Sequence, residues 1–168
     1  MELKRVVVTG LGAITPLGKT LTETWEGLVN GKSGAGPITH FDASKFKTQF
    51  ACEVKNFDPN QYFDRKEARK LDRYAQFALI AADEAIADSG MEMEKLDLNK
   101  VGVIFSSGIG GITTFQEEVE NYDAERGPLF NPFFIPKMIA DNASGHISMK
   151  YGFRGPNFAV VSACASST

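Results

Sequence analysis

The chain has 168 residues, of which 43% are apolar, and single domains commonly run to ~100–200 residues, so one ordinary core is expected. Its formal net charge of -3 argues against a nucleic-acid partner, because nucleic acids select basic surfaces. No run approaches the ~18 consecutive apolar residues of a membrane span. Cys52 and Cys164 make no disulfide framework. We therefore expect a cytoplasmic protein without a membrane partner.

The first part of the chain alternates strand and helix patterns. RVVVTGLGAI (5–14) predicts a strand that runs into glycines, and TLTETWEGLVNGKSG (20–34) predicts a short helix that ends at Gly31. The inner face of that helix is expected to carry Trp25, Leu28 and Val29. The longest helix is predicted over 64–89, with Gly90 at the position of a C-terminal cap.

The second part continues the alternation. KVGVIFSSGIGG (100–111) and NFAVVSA (157–163) predict buried strands, and TTFQEEVENY (113–122) predicts a helix. A further helix is expected over 136–150, ended by Gly152, with an inner face of Ile139, Ala143, His146, Ile147 and Tyr151. This order predicts an α/β layer around a mostly parallel sheet. Cys164 and SSGIGG both follow strands, where ligands of such sheets gather.

Two glycine-rich stretches resemble nucleotide-binding loops but depart from them. In GLVNGKS, Gly27 and Gly31 enclose three residues where a P-loop needs four, and the stretch follows a helix rather than a strand. In VTGLGAITPLG, Thr15 stands where the dinucleotide fingerprint has its third glycine. We expect these glycines to let the chain turn tightly. A nucleotide-binding domain is a hypothesis that rests on these turns alone.

One basic segment stands out in an acidic chain. It holds five cations within nine residues, namely Arg65, Lys66, Arg69, Lys70 and Arg73. On a helix, the last four share one stripe. Such a stripe is either a solvated face paired with nearby carboxylates or a docking surface for an acidic partner, and the sequence leaves both open. Neither His40 nor His146 has metal-ligand spacing around it, so we expect no metal and place His146 in the core.

Cys164 lies between an apolar strand and the small residues that follow it. A free cysteine is most often buried and inert. If a helix begins here, its unpaired amides would favour the thiolate and bind an oxyanion, which is the geometry of a nucleophile elbow. Both interpretations remain open from the residues alone. A nucleophile also needs a general base, and His146, the histidine nearer in sequence, is already assigned to the core.

Several motifs in order along the whole chain resemble the bacterial β-ketoacyl-acyl-carrier-protein synthases of type II fatty-acid elongation. They are VVVTGLGAITPLG, GKSG, RKEARKLDRYAQFA, SSGIGG, NPFFIPKMIADNASGHISMKYGFRGPN and VVSACASST. A polyketide ketosynthase shares the cysteine motif but is less similar elsewhere. The resemblance implies the thiolase-like α/β fold, with a mostly parallel or mixed sheet flanked by helices, in a homodimer. It also implies an acyltransferase without a cofactor, which condenses a cysteine-bound acyl group with decarboxylated malonyl-carrier protein.

The resemblance also implies roles for individual residues. It assigns the nucleophile to Cys164, whose own amide would form part of an oxyanion hole, and the acyl pocket to Ile109 and Phe134. Docking of the acyl carrier protein falls to a set of three cations, Lys66, Arg69 and Lys70. His146 matches a structural position, in agreement with its assignment to the core.

The resemblance finally implies that the chain is one half of an enzyme. Members have roughly 400 residues, far more than one ordinary domain, and their two catalytic histidines, a lysine and the second oxyanion amide lie in the other half. Residues 1–168 are thus expected to be a single amino-terminal half-domain that ends at the start of the nucleophile helix. Alone, it should expose apolar surface and be inactive. The alternative is a fragment that only binds the carrier protein or a subunit.

Overall fold

The computed structural model describes residues 4–123, 125, 127 and 129–167. Outside this range lie residues 124, 126 and 128 and also Thr168, the last residue of VVSACASST. The chain divides into two compact units: Met1–Asp58 with Ile80–Met91, and Pro59–Leu79 with Glu92–Thr168. None of the described helices is long and apolar enough to span a bilayer.

The described elements follow in the order expected of an α/β chain. The helices are α1 (Leu21–Val29), α2 (Arg65–Ala68), α3 (Arg73–Asp88), α4 (Ile112–Glu120), α5 (Phe134–Met138) and α6 (Asn142–Tyr151). The strands are β1 (Gly36–Pro37), β2 (Phe50–Ala51), β3 (Val103–Ile104) and β4 (Asn157–Phe158). Short 3-10 turns occupy Pro59–Gln61, Met93–Lys95, Leu98–Lys100 and Ala165–Ser167.

The strands form one antiparallel and one parallel pair. β1 runs antiparallel to β2, while β3 runs parallel to β4 with Val103 opposite Asn157. The parallel relation predicted for the two apolar runs is confirmed, but each contributes only two residues to the ladder. The prediction of a strand over 5–14 is wrong, because a strand forms only where a neighbouring strand pairs with it. No described strand pairs with residues 4–10, and Val6 and Val8 are exposed.

In the first unit, α1 has the predicted ends but the opposite inner face. The Thr20 side chain caps its amino terminus by accepting from the Glu23 amide, and Gly31 follows its end with φ 64°. The expected inner face is wrong, since Trp25, Leu28 and Val29 are exposed. The buried residues are Thr24 and Gly27. A loop sets this face, because the Thr15 and Thr24 hydroxyls lie 3.0 Å apart and Leu17 packs against Gly27.

Gly10 and Gly12 serve close packing rather than a turn, whereas Gly18 closes a tight turn with Thr15, as the sequence predicted. A Cβ on Gly12 would lie 2.0 Å from the Ala81 carbonyl oxygen, and one on Gly10 would lie 2.2 Å from that of Ala85. Neither glycine has a positive φ. The intervening amides donate to carboxylates of α3, Leu11 to Asp88 and Ala13 to Glu84. These anions occupy the donors that a phosphate would need, so the structure disfavours the nucleotide hypothesis.

The helix predicted over 64–89 is two helices, α2 and α3. Asp64 caps α2, and Asp72 caps α3 by accepting from the Tyr74 amide at 3.1 Å. The carbonyl of Ala68, at the end of α2, receives the side-chain amide of Gln76 at 3.0 Å. The break is therefore stabilised by polar side chains that satisfy the backbone groups freed by it.

The helix predicted over 136–150 is likewise divided into α5 and α6. Gly152 ends α6 with φ 72°, as predicted. Ala143 and Ile147 are buried, but Ile139 precedes α6 and is exposed. The buried apolar side chains of this second unit are Phe63, Ala68, Leu71, Ala75, Ala78, Leu79, Val103, Ala143, Ile147 and Phe153.

Candidate active site

The parallel pair places two candidate segments at one edge of the sheet. β3 leads into SSGIGG and β4 leads into the turn that contains Cys164, and both strands end on the same side. Their approach depends on glycine, because a Cβ on Gly102 would lie 2.6 Å from the Pro156 carbonyl oxygen. The Val103 amide donates to that same carbonyl at 2.8 Å.

Cys164 lies on a sharp turn with its side chain exposed and outside any disulfide. The residue before it, Ala163, has φ 51°, a left-handed conformation that strains a non-glycine residue. Ser166 closes the turn, since its hydroxyl donates to the Ala163 carbonyl at 2.8 Å and accepts from the Ser162 amide at 2.7 Å. The expected helix start is a single 3-10 turn here.

The SSGIGG loop, which carries Ile109, packs against the end of α5, the helix that begins with Phe134. The Gly111 amide donates to the Met138 carbonyl at 2.9 Å. A Cβ on Gly111 would lie 2.2 Å from the Lys137 carbonyl oxygen, so only glycine permits this approach. Ile109 is 67% exposed at the tip of the loop. Phe134 is partly buried at the start of α5.

Two aromatic rings stack on Phe134, and neither was among the residues predicted for the site. Phe134 stacks on Phe130 with ring centroids 5.6 Å apart and on Phe115 at 6.3 Å. Tyr122 stacks on Phe130 from the far side at 5.7 Å. The aromatic density of LFNPFF was an available signal, but the contribution of Phe115 depends on how α4 meets α5. Together these rings form an apolar wall beside the SSGIGG loop.

The basic segment is exposed, and one of its cations lies over the ring of Phe133. The side chains of Lys66, Arg69 and Lys70 are exposed, and none forms an ion pair with another described residue. The Asp64 carboxylate instead accepts from the Glu67 and Lys66 amides, which lowers its pKa. The Lys70 ammonium lies 5.7 Å from the ring of Phe133, the neighbour of Phe134.

Arg73 does not belong to the stripe that the sequence suggested. It begins α3 after the helix break, and its guanidinium lies 5.6 Å from the Phe77 ring. The stripe of exposed cations is therefore Arg65, Lys66, Arg69 and Lys70 on and after α2.

His146 is half-buried in α6. Burial lowers its pKa, and the Glu67 carboxylate acts in the opposite direction. This environment agrees with the structural position expected for it. Within the described ranges, no group of three or more His, Cys, Asp or Glu side chains is arranged to hold a metal ion.

Comparison with known proteins decides the family. Residues 3–168 match the family described as "Beta-ketoacyl synthase, N-terminal domain". The chain belongs to this family. The β-ketoacyl synthase resemblance inferred from the sequence motifs is thereby confirmed over nearly all of the chain.

Individual relatives agree with this assignment. The chain is 46% identical to "3-oxoacyl-[acyl-carrier-protein] synthase 2" of Synechocystis sp., over 100% of this chain and 40% of the relative. It is 47% identical to the protein of the same name from Coxiella burnetii, over 99% of this chain and 40% of the relative. The chain thus spans about two fifths of the length of these synthases.

A solved structure supports the fold. "The ishigamide ketosynthase/chain length factor" superimposes with a TM-score of 0.81 at 27% identity, covering 92% of this chain and 39% of that one. The predicted thiolase-like α/β fold is confirmed, and the short ladders β1–β2 and β3–β4 are its paired strands in this chain.

Proposed function

We propose that this chain is the nucleophile-bearing amino-terminal half of a 3-oxoacyl-[acyl-carrier-protein] synthase of fatty-acid elongation. The observation that carries the proposal is the exposed thiol of Cys164 on a strained turn at the sheet edge. The turn belongs to a chain that matches synthases of that name along its whole length. The activity is that of the complete protein, of which residues 1–168 would be the first part.

The chemistry proposed for Cys164 is a two-stage acyl transfer. In the first stage its sulfur attacks the carbonyl carbon of an acyl thioester, and the thiolate of the carrier leaves and takes up a proton. In the second stage malonyl-carrier protein loses carbon dioxide, and the resulting carbanion attacks the acyl-cysteine carbonyl. A carbon–carbon bond forms and the Cys164 thiolate leaves. We assign the acid–base groups of these steps to the remainder of the protein.

Two other groups of residues would contribute to this function. The aromatic rings that stack on Phe134, together with Ile109, offer an apolar wall for an acyl chain. The exposed cations Lys66, Arg69 and Lys70 offer a surface for an acidic carrier protein. Lys70 lies over the ring of Phe133, the neighbour of Phe134 in sequence, which would bring the docked carrier toward the residues proposed to receive the acyl chain.

Transfer of an acyl group to Cys164 tests the proposal directly. The complete protein is incubated with acyl-carrier protein, and its peptides are analysed by mass spectrometry. The peptide that contains Cys164 should gain the mass of the acyl group, and Cys164→Ala should abolish the adduct. Cys52→Ala is the matched control, because Cys52 is also a free, exposed thiol. Acylation that persists in Cys164→Ala, or that occurs on Cys52, would contradict the assignment.

Charge reversal tests the docking surface. We expect Lys66→Glu combined with Lys70→Glu to raise the Kd for the carrier protein about tenfold, or about 1.4 kcal/mol, with a weaker salt dependence. The matched control reverses Lys95 and Lys100, which are also exposed but pair with Glu92 and Asp97. Equal affinities of the two double variants would remove the basic segment from the function.

The second candidate function is a binding module without acyl transfer. The exposed basic stripe favours it independently of Cys164. Carrier binding that depends on Lys66 and Lys70, in a complete protein whose Cys164 is never acylated, would select this alternative.

We further propose that the complete synthase is a homodimer of the cytoplasm that acts without a cofactor. The family assignment and the two unpaired thiols support this placement. Sedimentation equilibrium of the complete protein measures the association, and a monomer at micromolar concentration would contradict it.

A further inference from the structure

Asp72 is a buried carboxylate that caps two helices at once. Asp72 is only 6% exposed to solvent. Oδ1 accepts from the Tyr74 amide at 3.1 Å, in the first turn of α3. Oδ2 accepts from the Thr114 amide at 3.2 Å and from the Thr114 hydroxyl at 2.6 Å, in the first turn of α4.

The second cap replaces one that α4 is unable to make for itself. Helix amino termini leave backbone amides unpaired, and a side chain at the N-cap position usually accepts from one of them. The N-cap of α4 is Gly111, which offers no side chain. A side chain there would collide with the Lys137 carbonyl oxygen, 2.2 Å from the added Cβ. Asp72 therefore supplies the carboxylate that the helix dipole of α4 favours.

The position of α4 matters for the proposed acyl pocket. The helix begins directly after the loop that carries Ile109, and its fourth residue, Phe115, stacks on Phe134. Tyr74, which the same carboxylate caps, donates its hydroxyl to the Ile139 carbonyl at 2.5 Å, just beyond α5. Asp72 is thus bonded to α4 directly and linked through Tyr74 to the end of α5.

We propose that Asp72 is a positioning residue that fixes α4 against α5 and thereby sets which acyl chain lengths the proposed acyl pocket accepts. The proposal rests on the proposed synthase function. Asp72 touches neither substrate nor Cys164 in this account, and it acts through Thr114. Its loss should therefore change the shape of the pocket more than the chemistry of the thiol.

The test compares acyl chain lengths in the complete synthase. kcat/KM is measured for acyl-carrier proteins with short and long acyl chains in the wild type, Asp72→Asn and Thr114→Val. Asparagine keeps the size of the side chain but replaces one acceptor oxygen with an NH2 group. We expect the long-to-short ratio to change at least fivefold in Asp72→Asn, through KM. The rate at which iodoacetamide alkylates Cys164 should stay unchanged.

A pair of Thr114 variants and a remote control at Asp97 separate positioning from general destabilisation. Thr114→Val removes the hydroxyl bond but keeps the backbone bond, so it should shift the ratio in the same direction and by less. Thr114→Ser keeps both bonds and should retain the wild-type ratio. Asp97→Ala removes the side-chain cap of an exposed 3-10 turn, and it should leave the ratio unchanged. If Asp72→Asn does not fold, the contrast between Thr114→Val and Thr114→Ser still decides the question.

The outcomes distinguish this inference from the function on which it rests. Absence of Cys164 acylation in the wild type would overturn the proposed function and this inference with it. Normal acylation with the same ratio in Thr114→Val and Thr114→Ser, or an equal loss for all chain lengths, would overturn the positioning role alone.

Discussion

Tyr74 shows how burial of one side chain makes the stability of the fold depend on alkaline pH. Burial and the nearby Asp72 carboxylate raise the pKa of Tyr74 to about 12. Because this pKa exceeds that of the unfolded chain, about 10, the stabilisation is complete below pH 10 and is lost as the pH rises toward 12. Above the ordinary tyrosine pKa of about 10, the unfolding midpoint should fall as the pH rises. We expect this fall, between about pH 9.5 and 11.5, to be smaller in Tyr74→Phe than in the wild type.

The measurement is thermal unfolding at a series of alkaline pH values. Tyr122→Phe is the control, because Tyr122 is exposed and stacks on Phe130. This variant should keep the steep fall of the wild type. A parallel fall in Tyr74→Phe and the wild type would contradict the role given to Tyr74.

His146 makes the opposite contribution at acid pH. Burial lowers the pKa of His146 below its ordinary value, and Glu67 offsets part of that effect. The folded state therefore binds a proton less readily than the unfolded chain. Its stabilisation is complete above the ordinary value of about 6.5 and is lost as the pH falls through the folded pKa. We expect His146→Gln to reduce the loss of unfolding midpoint on acidification from about pH 7 to 5.

If His146→Gln loses as much unfolding midpoint on acidification as the wild type, burial of His146 does not contribute to acid sensitivity.

Within the packed elements, we expect alanine substitution at two glycines to change the free energy of unfolding in opposite directions. Gly12→Ala places a Cβ 2.0 Å from the Ala81 carbonyl oxygen, and such overpacking typically costs about 1–3 kcal/mol. Gly145 lies within α6 with no atom within 4 Å of an added Cβ. Gly145→Ala should stabilise by about 0.5–1 kcal/mol, because glycine is the more flexible residue in the unfolded state. Chemical denaturation of both variants measures the difference, and equal midpoints would contradict this packing.

The ends of helices were predictable because their signals are local. Gly31, Gly90 and Gly152 follow the ends of α1, α3 and α6 with φ of 64°, 62° and 72°, conformations that glycine adopts without a steric penalty. The break between α2 and α3 was not predicted. The apolar spacing continues through it, while Asp72, which caps α3, is held by Thr114 from a distant part of the chain. A local periodicity contains no information about such a partner.

The predictions of a strand over 5–14 and of the inner face of α1 were wrong for the same physical reason. The strand predicted over 5–14 requires a neighbour, and its apolar pattern does not specify one. The inner face of α1 is set by Leu17 and Thr15, whose position depends on the path of the preceding loop. Even the correct pairing of β3 with β4 is shorter than the apolar runs that indicated it.

For the whole molecule, the motifs located the candidate residues but not their arrangement. Cys164, Ile109 and Phe134 were each named from short stretches of sequence. Their arrangement depends on long-range bonds such as Gly111 to Met138 and on the parallel register of β3 with β4. The rings that complete the wall around Phe134 come from α4 and from the segment before α5. Such contacts are decided by packing between elements rather than by composition.

The last prediction concerns residues 1–168 expressed alone. Val6, Val8 and Trp25 are 90%, 78% and 65% exposed, and exposed apolar side chains in such number mark surfaces that other protein covers. We expect the isolated chain to bind a hydrophobic dye strongly and to show no measurable condensation. Cys164 would remain reactive toward iodoacetamide, since its side chain is exposed. Without the acid–base groups assigned to the remainder, the loss should be at least ~10²–10⁴-fold.

The complete synthase under identical conditions is the reference for this loss, and coexpression of the remainder with residues 1–168 is the complementary arm. Coexpression should lower dye binding and restore turnover, because it returns both the covering surface and the missing general base. A turnover by the isolated chain within tenfold of the complete synthase would show that the base lies within these residues. The assignment of the acid–base groups to the remainder would then be wrong, even if Cys164 is the nucleophile.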